Sequence, residues 1–424
     1  MEVQITTLGA MLGLLLSIIL IIKKFHPAYS LILGAVVGGL VGGAGLTGTV
    51  DVMMTGAKDI MPAILRIVTS GVLAGVLIKT GAAAKIADQI IKTLGEKRAL
   101  FALALSTMIL TSVGVFVDVA VITVAPIALA IAKKIGYAPM VILLAMIGGG
   151  KAGNVISPNP NTISAAENFG VDLSSLMAAN IIPAIVGLIV TVILANMLGK
   201  KIKSKKLQEI EDEIENESEK VELPSFISAI VGPVVAIMLL ALRPIAGIAI
   251  DPLIALPVGG IVGALAMGKI KNINEYVTFG LSKMMPVAIL LIGTGTVSGI
   301  IKASTLQQTT IAVLSAVHMP AFLLAPISGV LMSAATASTT AGATIASATF
   351  APAIIASGVS PLAGGAMVHT GATVLDHLPH GSFFHATAGA TNMSIGERLM
   401  LIPYESLIGL SMTIISTIMW GIIL

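Results

Sequence analysis

The run Gly148-Gly149-Gly150-Lys151-Ala152-Gly153-Asn154-Val155-Ile156-Ser157-Pro158-Asn159-Pro160-Asn161-Thr162 decides the fold. It lies inside an apolar segment, 139–168, long enough to enter a bilayer, yet it cannot be one continuous helix. Each proline removes a backbone donor and disfavours helix in the residue before it. Irregular backbone at membrane depth is tolerated only where protein or a water-filled cavity surrounds it. A new helix starting near Asn161 or Thr162 points free N–H groups into such a cavity, and helix N-termini hold anions. The rival reading is an ordinary loop outside the membrane, and the apolar flanks argue against it.

The rest of the chain places this break in a membrane. Of 424 residues, 56% are hydrophobic and 11% charged, and the mean hydropathy is +1.02. A soluble domain of that size covers itself with charge, so this surface must face lipid. A span needs about 20 apolar residues, and such windows recur from end to end. Spans are expected at 5–22, 28–46, 62–80 and 175–198, with a Lys-studded amphipathic stretch at 82–98 and an interrupted apolar stretch at 99–135. The 44 glycines and 21 methionines suit helices packed closely in lipid. The chain has no cysteine, which excludes disulfides and thiol chemistry. A net charge of +3 with its basic residues in loops reports orientation rather than nucleic-acid binding. The first apolar run, Thr6 to Ile22, lacks a basic leader and a small-residue cleavage site, so it reads as a retained span. Residues 199–223 form the only long charged stretch and read as a solvated linker.

The second half repeats the first. Met61-Pro62-Ala63-Ile64-Leu65 returns as Met285-Pro286-Val287-Ala288-Ile289-Leu290, and Ser70-Gly71, Gly75 and Lys79 return as Thr294-Gly295, Gly299 and Lys302. Ala125-Pro126 matches Ala351-Pro352, and Gly136-Tyr137-Ala138-Pro139 matches Gly358-Val359-Ser360-Pro361. Ser157-Pro158-Asn159 matches Leu378-Pro379-His380, and Ile182-Pro183 matches Ile402-Pro403. Order and offset persist, which chance does not explain. Two repeats are therefore expected, 1–198 and 224–424, joined by the linker. Each holds about five crossings, one of them a broken helix (139–168 and 361–388), plus a re-entrant hairpin (99–135 and 321–357).

An odd number of crossings inverts one repeat relative to the other. With the linker cytoplasmic, inside loops carry Lys23, Lys24, Lys85, Lys92, Lys97, Arg98, Lys133, Lys134, Lys269, Lys271 and Arg398. Outside loops carry little beyond Lys58, Arg243 and Lys302, in agreement with the positive-inside rule. Both termini then lie outside; hairpin 99–135 enters from the cytoplasm and hairpin 321–357 from outside. Inverted repeats with broken helices are the architecture of secondary transporters, with the site near the midplane.

Four irregular segments are expected to meet there: the tips Thr111–Asp118 and Ser333–Gly342, and the breaks Gly148–Thr162 and Asp376–Ser382. Hydroxyls of the second tip suit a hydroxylated or carboxylated ligand, or else cap their own helices. Lys151 is a cation inside an apolar segment, a placement that is rare and usually faces a cavity. It balances an anionic substrate, occupies the place of a coupling cation, or pairs with Asp118 or Asp376 merely to hold the fold. Asp118 is a candidate proton carrier, and burial and Lys151 would move its pKa in opposite directions. His377 and His380 suit proton shuttling. They lie near an aspartate, but no further cluster with ligand spacing accompanies them, so no metal or other cofactor is expected. Glu405, inside the last span, is either functional or bonded to neighbouring backbone. No HExxH, GxSxG, P-loop or GxGxxG occurs, so an enzyme is not expected.

At these motifs the chain resembles the gluconate:proton symporters, the GntP-type permeases of the ion transporter superfamily, over nearly its full length. The family break PPHPGPTAIA has Ser157-Pro158-Asn159-Pro160-Asn161-Thr162-Ile163-Ser164-Ala165 in its place. The family Tyr-Glu-Val of the first tip matches Val117-Asp118-Val119, keeping the acid, and the second tip resembles Ser333–Gly342. The family SHVNDPGFW has Asp376-His377-Leu378-Pro379-His380-Gly381-Ser382-Phe383-Phe384 in its place, followed by the matching Ile395-Gly396-Glu397 and an acid at Glu405. Three departures stand out: Asn159 replaces a histidine, Pro379-His380 replaces an Asn-Asp pair, and Lys151 replaces an apolar residue.

The resemblance implies a homodimer in a bacterial-type inner membrane, with a scaffold and a moving part that holds both hairpins, working as an elevator. It implies proton-coupled uptake, and the departures point to a hydroxy acid or small carboxylate other than gluconate. On this reading Ser112, Lys151, Asn154, Asn159, Asn161, Thr336, Ser338, Thr339, His377 and Ser382 bind substrate, while Asp118 and His380 carry protons. Asn154, Asn159, Asn161 and Ser382 donate to carboxylate or hydroxyl oxygens, and Lys151 supplies complementary charge. Sodium-coupled carboxylate symport, cation:proton antiport and an intramembrane protease built on Asp118 and Asp376 are the rivals.

Overall fold

Helix Pro139–Asn154 is buried on every side from Met140 onward, as a helix without a polar face must be when other helices surround it. A computed structural model describes residues 4–202, 223–306, 308, 309, 312, 316, 320–379 and 381–423. Among them the structure is helical, with an isolated bridge between Ile5 and Ser304.

Around Pro139–Asn154 stand the hairpin Ala99–Ser112/Val117–Ile135 and helix Ile181–Lys201. The second half assembles the same parts in the same order. Hairpin Leu324–Thr336/Thr339–Ala356 packs on helix Pro361–Gly371, which packs on Ile402–Thr417, and Ile402–Thr417 meets Ile181–Lys201. A second group of helices lies alongside: Thr7–Ile22 with Pro27–Val41, and Phe226–Ala246 with Pro252–Ala266, flanking the crossed pair Met61–Lys79 and Ile273–Lys302. These contacts use glycine so that backbones approach closely. A Cβ on Gly232 would come 2.9 Å from Gly259 O, and one on Gly71 would come 2.9 Å from the Gly280 carbonyl.

Among the described residues, six helices are long and apolar enough to cross a membrane. On one of them, Ile181, Ile185, Ile189, Ile193 and Met197 form an i, i+4 stripe that stays about half exposed. Such a stripe is a lipid-facing surface.

Both hairpin turns and the first break fall inside the expected segments, at 113–116, 337–338 and 155–159, whereas the second break, 372–381, begins four residues before the expected Asp376–Ser382. Other boundaries differ. The chain after Val41 forms a separate helix, Gly45–Asp59, that the apolar pattern did not reveal, because Thr47, Thr49, Asp51, Thr55 and Lys58 interrupt its apolar residues. Helix Ile181–Lys201 runs through residues 199–201, since Lys200 and Lys201 suit a helix C-terminus; linker residues 203–222 lie outside the described residues. Arg398, assigned to a loop by the charge pattern, is fully buried: it pairs with Glu405, donates to Thr387 Oγ1 at 3.2 Å and stacks 4.8 Å from the Phe384 ring centroid. A buried carboxylate demands a cation, and Glu405 draws Arg398 inward.

Half-exposed ion pairs tie the two groups together at one place. Arg66 of helix Met61–Lys79 bonds Asp251 and also Glu167 of helix Pro160–Phe169, and Arg243 bonds Asp172. The hydrogen bonds from Arg66 hold the Asp251 carboxyl below the usual carboxylate range.

Candidate functional site

The first break is closed by amides. Asn159 is the N-cap of Pro160–Phe169; its Oδ1 accepts from Asn161 N at 3.0 Å and Thr162 N at 3.1 Å. Its Nδ2 donates back to Asn154 O at 2.9 Å and to Asn154 Oδ1 at 2.5 Å. The Pro-Asn-Pro-Asn run is buried, so it is not an outer loop.

The second break is closed by charge. Lys151 is 1% exposed. Its Nζ donates to Thr373 O at 2.8 Å, Asp376 Oδ1 at 2.5 Å and His377 Nδ1 at 2.8 Å. Of the two aspartates weighed as partners, Asp376 is the one that pairs. His377 Nε2 lies 3.1 Å from Ile402 O and 3.2 Å from Ser406 Oγ, and Glu405 and Arg398 complete the cluster behind it.

The four irregular segments meet around a cavity of about 150 Å³ walled by Asp118, Asn154, Asn161, Ser338, Thr339, Thr340, Asp376 and Ser382, with Phe116 and Phe383. Thr340 Oγ1 donates to Asn161 Oδ1 at 2.6 Å and Thr339 Oγ1 to Asp376 Oδ2 at 2.5 Å, so the second tip is bonded to both breaks. The helices Val117–Ile135, Pro160–Phe169 and Thr339–Ala356 all begin at this wall, as does Ser382–Ala390. Each N-terminus carries about half a positive charge. Asn159 and Ser338 cap two of them, whereas the start of Ser382–Ala390 has no side-chain cap. The charged side chains on this wall, among the described residues, are Asp118 and Asp376.

A wider cavity of about 520 Å³ shares Phe116, Asp118, Ser338, Thr340 and Ser382 with the first and extends to Pro27, Lys283 and Pro286 of the other helix group. Thr336 lines it, with its Oγ1 donating to Met332 O at 2.8 Å.

Of the residues expected to bind substrate, Asn154, Asn161, Ser338, Thr339 and Ser382 reach the smaller cavity, as does Asp118. Lys151, Asn159 and His377 stand behind its wall, occupied by protein partners. Ser112 Oγ donates to Ile109 O at 2.9 Å within its own helix, away from the wall. His380 lies outside the described residues. Thr340, Asp376 and Lys283 were not among the expected ligands. Asp376 and Thr340 sit within the irregular segments, and Lys283 is three residues before the repeated Pro286.

The family described as GntP family permease matches residues 4–423. A Haemophilus influenzae protein named "Uncharacterized transporter" is 56% identical over 421 residues, 99% of each chain. The D-serine transporter DsdX of Escherichia coli K12 is 24% identical over 77% of this chain and 79% of its own. The Gnt-II system L-idonate transporter of the same organism is 21% identical over 91% of this chain and 92% of its own. The crystal structure of the Alcanivorax borkumensis YdaH transporter is similar in fold, with a TM-score of 0.67 and 16% identity over 89% of both chains. This chain belongs to the GntP family: it is a multi-pass integral membrane permease and not an enzyme.

Proposed function

We propose that this permease is a proton-coupled symporter for a small hydroxy-carboxylate. The observation that carries the reading is the convergence of four helix N-termini on one polar cavity. Such ends attract an anion and leave backbone donors for it, while Asn161, Ser338, Thr340 and Ser382 suit its hydroxyls. The relatives named for L-idonate and D-serine fit this chemistry, since both compounds carry a carboxylate beside a hydroxyl-bearing carbon chain.

The charge on the wall supports proton coupling. Asp118 faces the smaller cavity, on whose wall no basic side chain stands among the described residues, and it also lines the wider cavity with Lys283 and His26. A carboxylate entering beside an ionised Asp118 meets like charge, and a proton taken up by Asp118 removes the repulsion. The matched order of helices in the two halves supports inverted repeats, with the boundaries read from the sequence. The wider cavity between the two helix groups supports an elevator, in which the group holding both hairpins slides past the other as the tips close over substrate. The sites act in a homodimer in the bacterial inner membrane, with linker 199–223 cytoplasmic.

The test is a thermal-shift panel of small carboxylates on the purified protein, followed by uptake of the best ligand into proteoliposomes. A ligand that binds only the folded state raises its apparent stability. Accumulation should follow an imposed pH gradient, and Asp118→Asn should abolish that dependence while still binding ligand. Uptake driven by sodium, or a panel with no stabilising carboxylate, would refute the reading.

A further inference from the structure

We propose that the Lys151 ammonium is a tethered cation filling the place of a free coupling cation at the second break, so that sodium has no site there. The inference rests on the transporter reading for the word coupling; its chemistry belongs to the chain alone.

Thr373 lies just past the end of helix Pro361–Gly371. The carbonyls there are those a broken helix leaves without intrahelical partners. In discontinuous transporter helices such carbonyls and helix C-terminal ends coordinate the coupling ion. Here Thr373 O instead accepts from Lys151 Nζ at 2.8 Å, and Asp376 and His377 complete the shell. The ammonium arrives on its own stem from helix Pro139–Asn154, which forms the other break.

Its three protons meet three acceptors. Ile402 O can only accept, which places a hydrogen on His377 Nε2, and His377 Nδ1 lies 2.8 Å from Lys151 Nζ and 3.0 Å from Asp376 Oδ1, so the imidazole is bonded within the same cluster. The carboxylates around the site are matched one to one: Asp376 with Lys151, and Glu405 with Arg398. A sodium ion entering this cluster would find no unpaired carboxylate, and its place between Thr373 O and Asp376 is taken by the buried ammonium. Removing the ammonium leaves a buried carboxylate and a free carbonyl with a vacant space between them.

Full-length protein in detergent, without substrate, supplies the test. Melting temperatures are compared in sodium chloride and choline chloride at one ionic strength for wild type, Lys151→Ala, Lys151→Ser and Lys151→Gln. Wild type should show no sodium-specific shift. The Ala and Ser variants should melt lower in choline and recover saturably with sodium. The Gln variant, whose amide fills the space without charge, should melt lower and ignore sodium. A sodium-specific shift in wild type, an equal shift in Lys151→Gln, or no shift in Ala and Ser overturns the proposal. So does failure of both small variants to fold even when sodium is present throughout, because sodium would then not replace the ammonium. The readout uses no carboxylate, so a failed substrate panel leaves it intact.

Discussion

The two breaks at the centre have similar shape and opposite chemistry. At the first, the neutral amides of Asn154 and Asn159, five residues apart, satisfy the free helix ends locally, and Asn161 adds a bond from Thr340 of the second tip. At the second, Lys151 reaches Asp376 across 225 positions, and His377, Glu405 and Arg398 form the second layer. Amides close a break at small desolvation cost. Charges close it at large cost, and they hold only while each keeps its partner. Two helix breaks at one centre can thus be closed by different chemistry.

The largest effect should come from splitting the buried pair. Lys151→Met strands Asp376 and should cost about 3–5 kcal/mol, read as a collapse of the melting temperature in choline buffer. Lys151→Met with Asp376→Asn should recover most of it. Additive losses in the double variant would show that the pair is not a unit.

At the amide break, Asn159→Ala removes a cap and should cost about 1–2 kcal/mol. Asn159→Asp keeps the capping oxygen and should cost less, with both measured by thermal melting. If Asn159→Ala destabilises as much as Lys151→Met, the contrast between the breaks fails.

Thr340→Val removes the hydrogen bond from the second tip to Asn161. A loss of about 1 kcal/mol is expected, with weaker ligand binding in the same thermal-shift assay. An unchanged ligand response would separate the tip from the site.

The smallest effect belongs to the half-exposed charges beside the first break. The Arg66–Asp251 pair, in which the Asp251 side chain is 41% exposed, should contribute at most about 1 kcal/mol. Because the folded Asp251 carboxyl lies below its unfolded value of about 3.9, that contribution is complete above about pH 4–5 and disappears as pH falls through the lowered value. Stability of wild type should therefore drop toward that of Asp251→Asn between about pH 5 and pH 3. Parallel pH curves would show that the pair contributes nothing, and the contrast between buried and exposed charges would sharpen.

The fold was largely legible in the residues. Pro158, Pro160 and the Gly-Val-Ser-Pro at 358–361 announced their breaks and turns, because proline removes a backbone donor and crowds the turn before it. Hydropathy supplied the spans, because lipid imposes one length on every crossing helix. Gly45–Asp59 escaped notice because a helix with a mixed face carries neither signal. The irregular segments containing the site were legible too, but individual roles were less so. Asn159 reads as a ligand and serves as a cap; Lys151 reads as facing substrate and stands behind the wall.

What the sequence by itself determined is the membrane class and the places where helix must stop. These follow from backbone chemistry and from lipid, both of which act on a few neighbouring residues. Only the tertiary structure decided that Lys151 takes Asp376 rather than Asp118, that Arg398 turns inward to Glu405, and that Thr340 joins Asn161. Those choices depend on distances between residues far apart in the chain, and a buried charge is settled by whichever partner the packing brings within reach.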